Sequence, residues 1–225
     1  MRCNQAALQR LFCLNEYKGH KEMIEPKVDF KRYEPDVMGL VLSGGTKAAT
    51  VFYGSSTFTL WGREKLKEDM APIEAVNCGF GGSTAHDAAH WYEKVVKPLK
   101  PKLLVWYEGD NDIALGYTSA EVLEITSNLF DKMKTDFPEL KILIVSVKRS
   151  ISRKELWSKI DELNSKVLEY VKSKEYIQFV DMNEIAFDEK GSAREDIYIE
   201  DKLHFNEKGY ELLTALIKPI ILEML

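Results

Sequence analysis

The chain has 225 residues, 45% of them hydrophobic, with only 13 Gly and 7 Pro; this excludes a disordered or fibrous protein and leaves room for one α/β domain with a large core. A formal charge of −5 without a concentrated basic stripe argues against nucleic acid as a partner. The three cysteines, Cys3, Cys13 and Cys78, include no C-x-x-C pair, so they indicate neither a disulfide framework nor a zinc knuckle and fit a reducing, cytoplasmic setting.

The first 23 residues lack a long apolar run and quickly become charged, so no secretory signal is expected; no later stretch approaches membrane-spanning length. Residues 1–48 read as a helical arm and a connection covering one flank of the core or mediating a homodimer, and 49–225 as the main domain. Five short apolar runs follow: "TVFYG" (50–54), "IEAVNC" (73–78), "KLLVWYE" (102–108), "KILIVS" (141–146) and "YIQFVD" (176–181). Most are continuous, as expected of strands covered on both faces.

Helical patterns lie between and beyond them. Val122, Ile125, Leu129, Met133 and Phe137 form one stripe, opened by a Thr118-x-x-Glu121 capping box and stopped before Pro138. Ser152-x-x-Glu155 is expected to open the next helix, whose stripe is Leu156, Ile160, Leu163, Val167 and Val171. A last helix is expected from Asn206, with Pro219 kinking or ending it. Strand and helix in alternation predict a three-layer α/β/α fold around a five-stranded parallel sheet, with the ligand crevice beyond the carboxyl ends of the strands.

The first three strand exits are rich in small and amide-bearing polar residues: Gly54-Ser55-Ser56, "NCGFGGST" (77–84) and "EGDNDI" (108–113). A serine at a sharp strand-to-helix turn can present its hydroxyl above the sheet, which makes Ser56 a candidate nucleophile. Alone, the pattern is more often a helix cap, and Phe58 stands where a Gly-x-Ser-x-Gly motif needs its second glycine. A nucleophilic serine requires a base and a group to orient that base. Of the four histidines, His20 lies in the arm and His86 and His90 follow the second strand, whereas His204 sits after the fifth strand, three residues beyond Asp201. One tight turn can hold that carboxylate against the imidazole.

Taken together, these residues resemble the SGNH (GDSL-type) hydrolase family, over Val51 to about Tyr210. "VFYGSSTF" is similar to its first block and puts the catalytic serine on Ser56. "NCGFGGST" puts the oxyanion-hole glycine on Gly82, "GDND" the side-chain amide donor on Asn111, and "DKLHFN" the acid and base on Asp201 and His204. The chain departs from the family at Ser55, where the name-giving motif has Asp, and at Glu108, a bulky acid where relatives often have a small residue and which is expected to narrow the substrate pocket or repel acidic substrates. The resemblance implies a flavodoxin-like fold and a serine ester hydrolase acting on short acyl groups, acetyl groups of carbohydrates among them, with no metal or organic cofactor. Thioesterase or lysophospholipase activity on the same site, or a non-catalytic binding module, are the alternatives.

Two further patterns compete with this reading. "HDAAH" (86–90) places histidines at i and i+4, but Asp87 is shorter than the glutamate of a zinc-protease motif and no third ligand is near, so structural histidines beside Trp91 are expected. "GFGGST" follows a strand as a phosphate loop does, yet lacks the third spaced glycine and the lysine. Tyr53, Trp61, Trp106 and Tyr107 could wall a pocket, although aromatics beside strands are more often core.

Overall fold

The structure, a computed structural model, describes residues 24–42 and 49–225. Cys3, Cys13, His20 and most of the expected arm lie outside the described residues. Five strands, β1 (Thr50–Gly54), β2 (Ala75–Asn77), β3 (Leu103–Tyr107), β4 (Lys141–Val145) and β5 (Ile177–Val180), form one parallel sheet in the order 2-1-3-4-5. That is the flavodoxin-like order, reversing between β1 and β3.

The central strands β1 and β3 are buried at every position because both faces are covered. Val51, Tyr53, Leu104, Trp106, Ile142 and Ile144 enter one core layer, and Phe52, Leu103, Val105, Tyr107, Leu143 and Val145 the other. Residues one apart therefore enter opposite layers, as a pleated strand requires. The aromatics Tyr53, Trp61, Trp106 and Tyr107 are all buried within these layers.

Against the first layer pack α1 (Glu34–Leu42), α4 (Ala85–Val95), α6 (Ser119–Asp136) and α7 (Trp157–Val171). The second layer is covered by α2 (Ser56–Trp61), α3 (Arg63–Met70) and α9 (Glu207–Met224), with the short α5 (Asp110–Ala114) and α8 (Asn183–Ala186) at strand exits. Thr118 caps α6 with Glu121 in the expected reciprocal box, and Asn206 caps α9 by accepting from the N–H of Gly209 at 3.1 Å.

One expectation fails, and a second fails in part. Ser152 and Glu155 do not open α7; residues Ile151–Leu156 form a 3-10 turn in which Arg153 has non-helical angles (φ −115°, ψ 29°), and the α-helix begins only at Trp157. Tertiary contacts of Arg153, described below, override the local capping signal. Pro219 does not end α9, which runs on to Met224. Leu213, Ile217, Ile221 and Met224, buried on both sides of the proline, favour one continuous helix over the hydrogen bond lost.

Residues of the arm that are described lie on the α4 side. Tyr33 and Val37 are buried there, and Phe30 stacks on His90 at a centroid distance of 4.1 Å. His90 meets Trp91 edge-on, and burial lowers the pKa of both His86 and His90 below the ordinary imidazole value. Among the described residues no cluster of three or more His, Cys, Asp or Glu is arranged to hold a metal ion, and no helix is long and apolar enough to cross a membrane.

Candidate active site

Every candidate residue stands beyond the carboxyl end of a strand. The closest approach of two strands sets the first of them. Gly54 ends β1 against Tyr107 of β3, and a methyl group at Gly54 would lie 2.2 Å from the Tyr107 carbonyl oxygen, so only glycine fits. The same carbonyl accepts from the N–H of Ser55 at 3.2 Å. Held there, the chain turns directly into α2, with Ser55 as the residue before the helix and Ser56 as its first residue.

Neither serine spends its hydroxyl on capping, since Ser55 makes no side-chain cap bond and the Ser56 hydroxyl faces His204. Ser56 Oγ lies 2.9 Å from His204 Nε2, and His204 Nδ1 lies 2.6 Å from Asp201 Oδ2. The other oxygen of Asp201 accepts from the backbone N–H groups of Leu203 (2.8 Å) and His204 (2.9 Å). Partial burial works against the Asp201 charge, but these bonds and the imidazole outweigh it and hold the carboxyl down to about 2. With Nδ1 protonated towards Asp201, Nε2 is the acceptor for the serine hydroxyl. This geometry allows a proton to pass from serine to a ring already oriented by an anion.

The loop after β2 lies beside Ser56. A methyl group at Gly81 would stand 4.0 Å from Ser56 Cβ and from Thr59 Oγ1, while Gly82 adopts a left-handed conformation (φ 81°). As the first residue of α2, Ser56 carries an N–H that has no partner within the helix, and no backbone carbonyl among the described residues accepts from it or from the N–H of Gly82. Asn111, the second residue of α5, donates from Nδ2 to Ser83 O at 2.9 Å, so the exits of β2 and β3 are joined by its amide.

Buried carboxyl groups complete that join. Asp112 accepts from the N–H groups of Ala85 and Gly109, both at 3.0 Å, and burial nevertheless pushes its carboxyl up to about 7. Glu108, expected beside the substrate, is itself buried: Ser83 Oγ donates to its Oε1 at 2.5 Å, and Oε2 has no partner among the described residues. Burial, with the nearby Asp112, raises the Glu108 carboxyl well above the usual carboxylate range, although the hydrogen bond from Ser83 works the other way. Thr84 and Asp87 cap the start of α4, whose first N–H goes to Asp112. A helix end so filled with carboxylates offers no place for a phosphate.

Sequence reasoning missed three contributors. Arg32 of the arm donates to Gly82 O (3.3 Å) and to Asp87 Oδ2 (3.1 Å), tying the arm to the glycine loop. Lys148 and Arg153, both after β4, converge on Asp110: Lys148 Nζ lies 3.4 Å from Oδ2 and Arg153 Nη1 2.5 Å from Oδ1. Lys148 also reaches Tyr107 Oη (3.0 Å) and Thr57 Oγ1 (3.2 Å); burial works against its ammonium charge, but Tyr107 and Asp110 hold its pKa above the ordinary lysine value. The signal that could have found them is position, since "SVKRSISR" (146–153) is the exit of a parallel strand.

A doubly wound parallel sheet with a serine, an imidazole and a carboxylate in line at its carboxyl edge defines a hydrolase-type α/β domain. The chain belongs to the GDSL-like lipase/acylhydrolase family, whose model matches residues 43–212, and ester hydrolysis is the activity class of that family. Its fold is similar to a GDSL-like lipase from Bacteroides thetaiotaomicron (23% identity over 88% of this chain and 98% of that one, TM-score 0.71). It is also similar to a carbohydrate esterase family 3 protein from Talaromyces cellulolyticus (16% identity, 78% and 97% covered, TM-score 0.62) and to an acetyl esterase mutant with acetate ion (15% identity, 78% and 97% covered, TM-score 0.62). No curated protein matches the chain significantly.

Proposed function

We propose that Ser56 is the nucleophile, His204 its base and Asp201 the orienting acid of an esterase that removes short acyl groups, with acetylated carbohydrates as the favoured substrate class. The observation that carries the reading is the unbroken line from Asp201 Oδ2 through His204 to Ser56 Oγ, at 2.6 and 2.9 Å, the second contact joining residues 148 positions apart in the chain. Ser56 Oγ attacks the ester carbonyl as its proton passes to Nε2, and the imidazolium returns that proton to the departing alcohol. Water then repeats the cycle on the acyl-enzyme. The N–H groups of Ser56 and Gly82 and the second Nδ2 hydrogen of Asn111 serve the developing oxyanion. Loss of one such donor typically costs roughly 3 to 4 kcal/mol of transition-state stabilisation.

The acetyl preference draws on the acetyl esterase and carbohydrate esterase of similar fold. The same proposal places the enzyme in the cytoplasm, where Cys78, a buried free thiol whose pKa burial pushes up to about 12, stays reduced. The test is turnover of p-nitrophenyl esters of increasing acyl length and of acetylated sugars, beside Ser56→Ala and fluorophosphonate labelling. A steep fall beyond butyrate, with labelling and turnover both lost in Ser56→Ala, is expected. Turnover retained by Ser56→Ala would remove the nucleophile assignment. Faster turnover of thioesters or lysophospholipids would move the substrate class, and a wild type that takes no label would leave a binding module.

A further inference from the structure

We propose that Arg153 is a positioning residue for the oxyanion-hole amide of Asn111; the inference rests on the reading of Asn111 as an oxyanion donor. A side-chain amide presents two chemically opposite ends on one planar group, and a half-turn about its last torsion exchanges donor for acceptor. Here the acceptor end is occupied. Arg153 Nη2 donates to Asn111 Oδ1 at 3.0 Å, while Nδ2 donates to Ser83 O at 2.9 Å. Flipping the amide would press its NH2 group against a guanidinium, which cannot accept, and would turn its carbonyl oxygen towards another carbonyl oxygen. The donor end is thereby held towards the Ser83 side of the site. A cation on the oxygen also polarises the amide and strengthens its N–H as a donor.

The way Arg153 is held supports this role. Its guanidinium is forked across consecutive residues of α5, with Nη1 on Asp110 Oδ1 and Nη2 on Asn111 Oδ1, so its own orientation is fixed. The side chain is 16% exposed, and the backbone leaves helical geometry at this residue to deliver it. Asp110 does not simply cancel the guanidinium charge, because Lys148 shares the same carboxylate. Two cations therefore share the one Asp110 carboxylate beside the amide. Lys148 itself makes no bond to Asn111 and ties Asp110 to Thr57, the residue after Ser56. The cluster therefore sets two of the three proposed oxyanion donors against each other.

The experiment is a double-mutant cycle in the full chain, with kcat and KM measured on p-nitrophenyl acetate and melting curves for every variant. Arg153→Met is expected to lower kcat by about 10- to 100-fold with KM within about threefold, part of the larger loss typical of deleting an oxyanion donor. Arg153→Lys, which keeps the charge without the fork, should recover part of that loss. In an Asn111→Ala background, Arg153→Met should change kcat by less than about twofold, because the group through which it acts is gone. The same loss in both backgrounds, or no loss in either, would overturn the proposal, and so would a rise confined to KM, which would make Arg153 a substrate contact. If Arg153→Met does not fold, the cycle is read with Arg153→Lys. Ser56→Ala, assayed in parallel, reports on the nucleophile separately, since its retained turnover would refute that assignment while leaving the cycle readable.

Discussion

Gly54→Ala offers a quantitative test of how the sheet places Ser56, the proposed nucleophile. The new methyl carbon would stand 2.2 Å from the Tyr107 carbonyl oxygen, whereas real Cβ atoms essentially never come within 3.0 Å of another heavy atom, so β1 and β3 must part by roughly 0.8 Å at their carboxyl ends. Backbone atoms of two buried strands cannot swing aside as a side-chain tip can. Overpacking of this kind costs about 1–3 kcal/mol, and weakening the buried Ser55 N–H to Tyr107 O bond adds about 1 kcal/mol. For a domain of this size, a loss of about 2–4 kcal/mol lowers the melting temperature by roughly 5–15 °C. Ser56 lies two residues beyond Gly54, so the displacement is passed to its hydroxyl, and misplacement near 1 Å costs up to about 100-fold in rate. Circular-dichroism melting and p-nitrophenyl acetate kinetics measure both effects. A variant within 2 °C of wild type (roughly 1 kcal/mol or less) and within about twofold in kcat/KM would refute the claim that this strand contact positions the serine.

Asp201→Asn should lower kcat by about 10³- to 10⁴-fold, as loss of the carboxylate does in other serine triads, without moving Ser56; near-wild-type turnover would remove Asp201 from the mechanism. Because the folded pKa of Asp201 is depressed to about 2, its contribution to stability is present above the unfolded value and lost as pH falls from about 4 towards 2. Its partial exposure keeps that contribution small, and Asp201→Asn should flatten it in acid melting curves. Glu108 has the opposite sign: its folded pKa is raised, so wild-type stability declines as pH climbs above the unfolded carboxylate value. Glu108→Gln keeps an acceptor for Ser83 and should gain melting temperature over wild type at pH 8 relative to pH 5, and a difference equal at both pH values would contradict a raised pKa for the buried Glu108 carboxyl.

The sheet was readable because strands covered on both faces carry apolar residues on successive positions, and Phe52 and Tyr53, which enter opposite core layers, are both buried. The meeting of Ser56, Asp201 and His204 was readable for a different reason: the exits of parallel strands gather at one edge, and only one histidine follows the last strand. What stayed hidden was long-range charge pairing. Lysine and arginine in a linear sequence look like solvated residues, and nothing adjacent to Lys148 or Arg153 reveals that Asp110, about forty positions earlier, draws both inward. The misplaced start of α7 has the same origin. Ser152 and Glu155 satisfy a local rule for helix entry, but Arg153 between them leaves helical geometry and bonds Asp110 and Asn111.

Asp201 and His204 share one hairpin-like turn, stitched by Ile199 N to His204 O and by the paired Tyr198 and Phe205, whereas Ser56 comes from 148 positions before His204 in the chain. Carboxylate and imidazole thus form a preassembled pair, and only its docking against Ser56 depends on the sheet. Warming or mutation that loosens the domain will separate hydroxyl from ring before it separates ring from carboxylate. The molecule should therefore fall silent while half of its machinery is still intact.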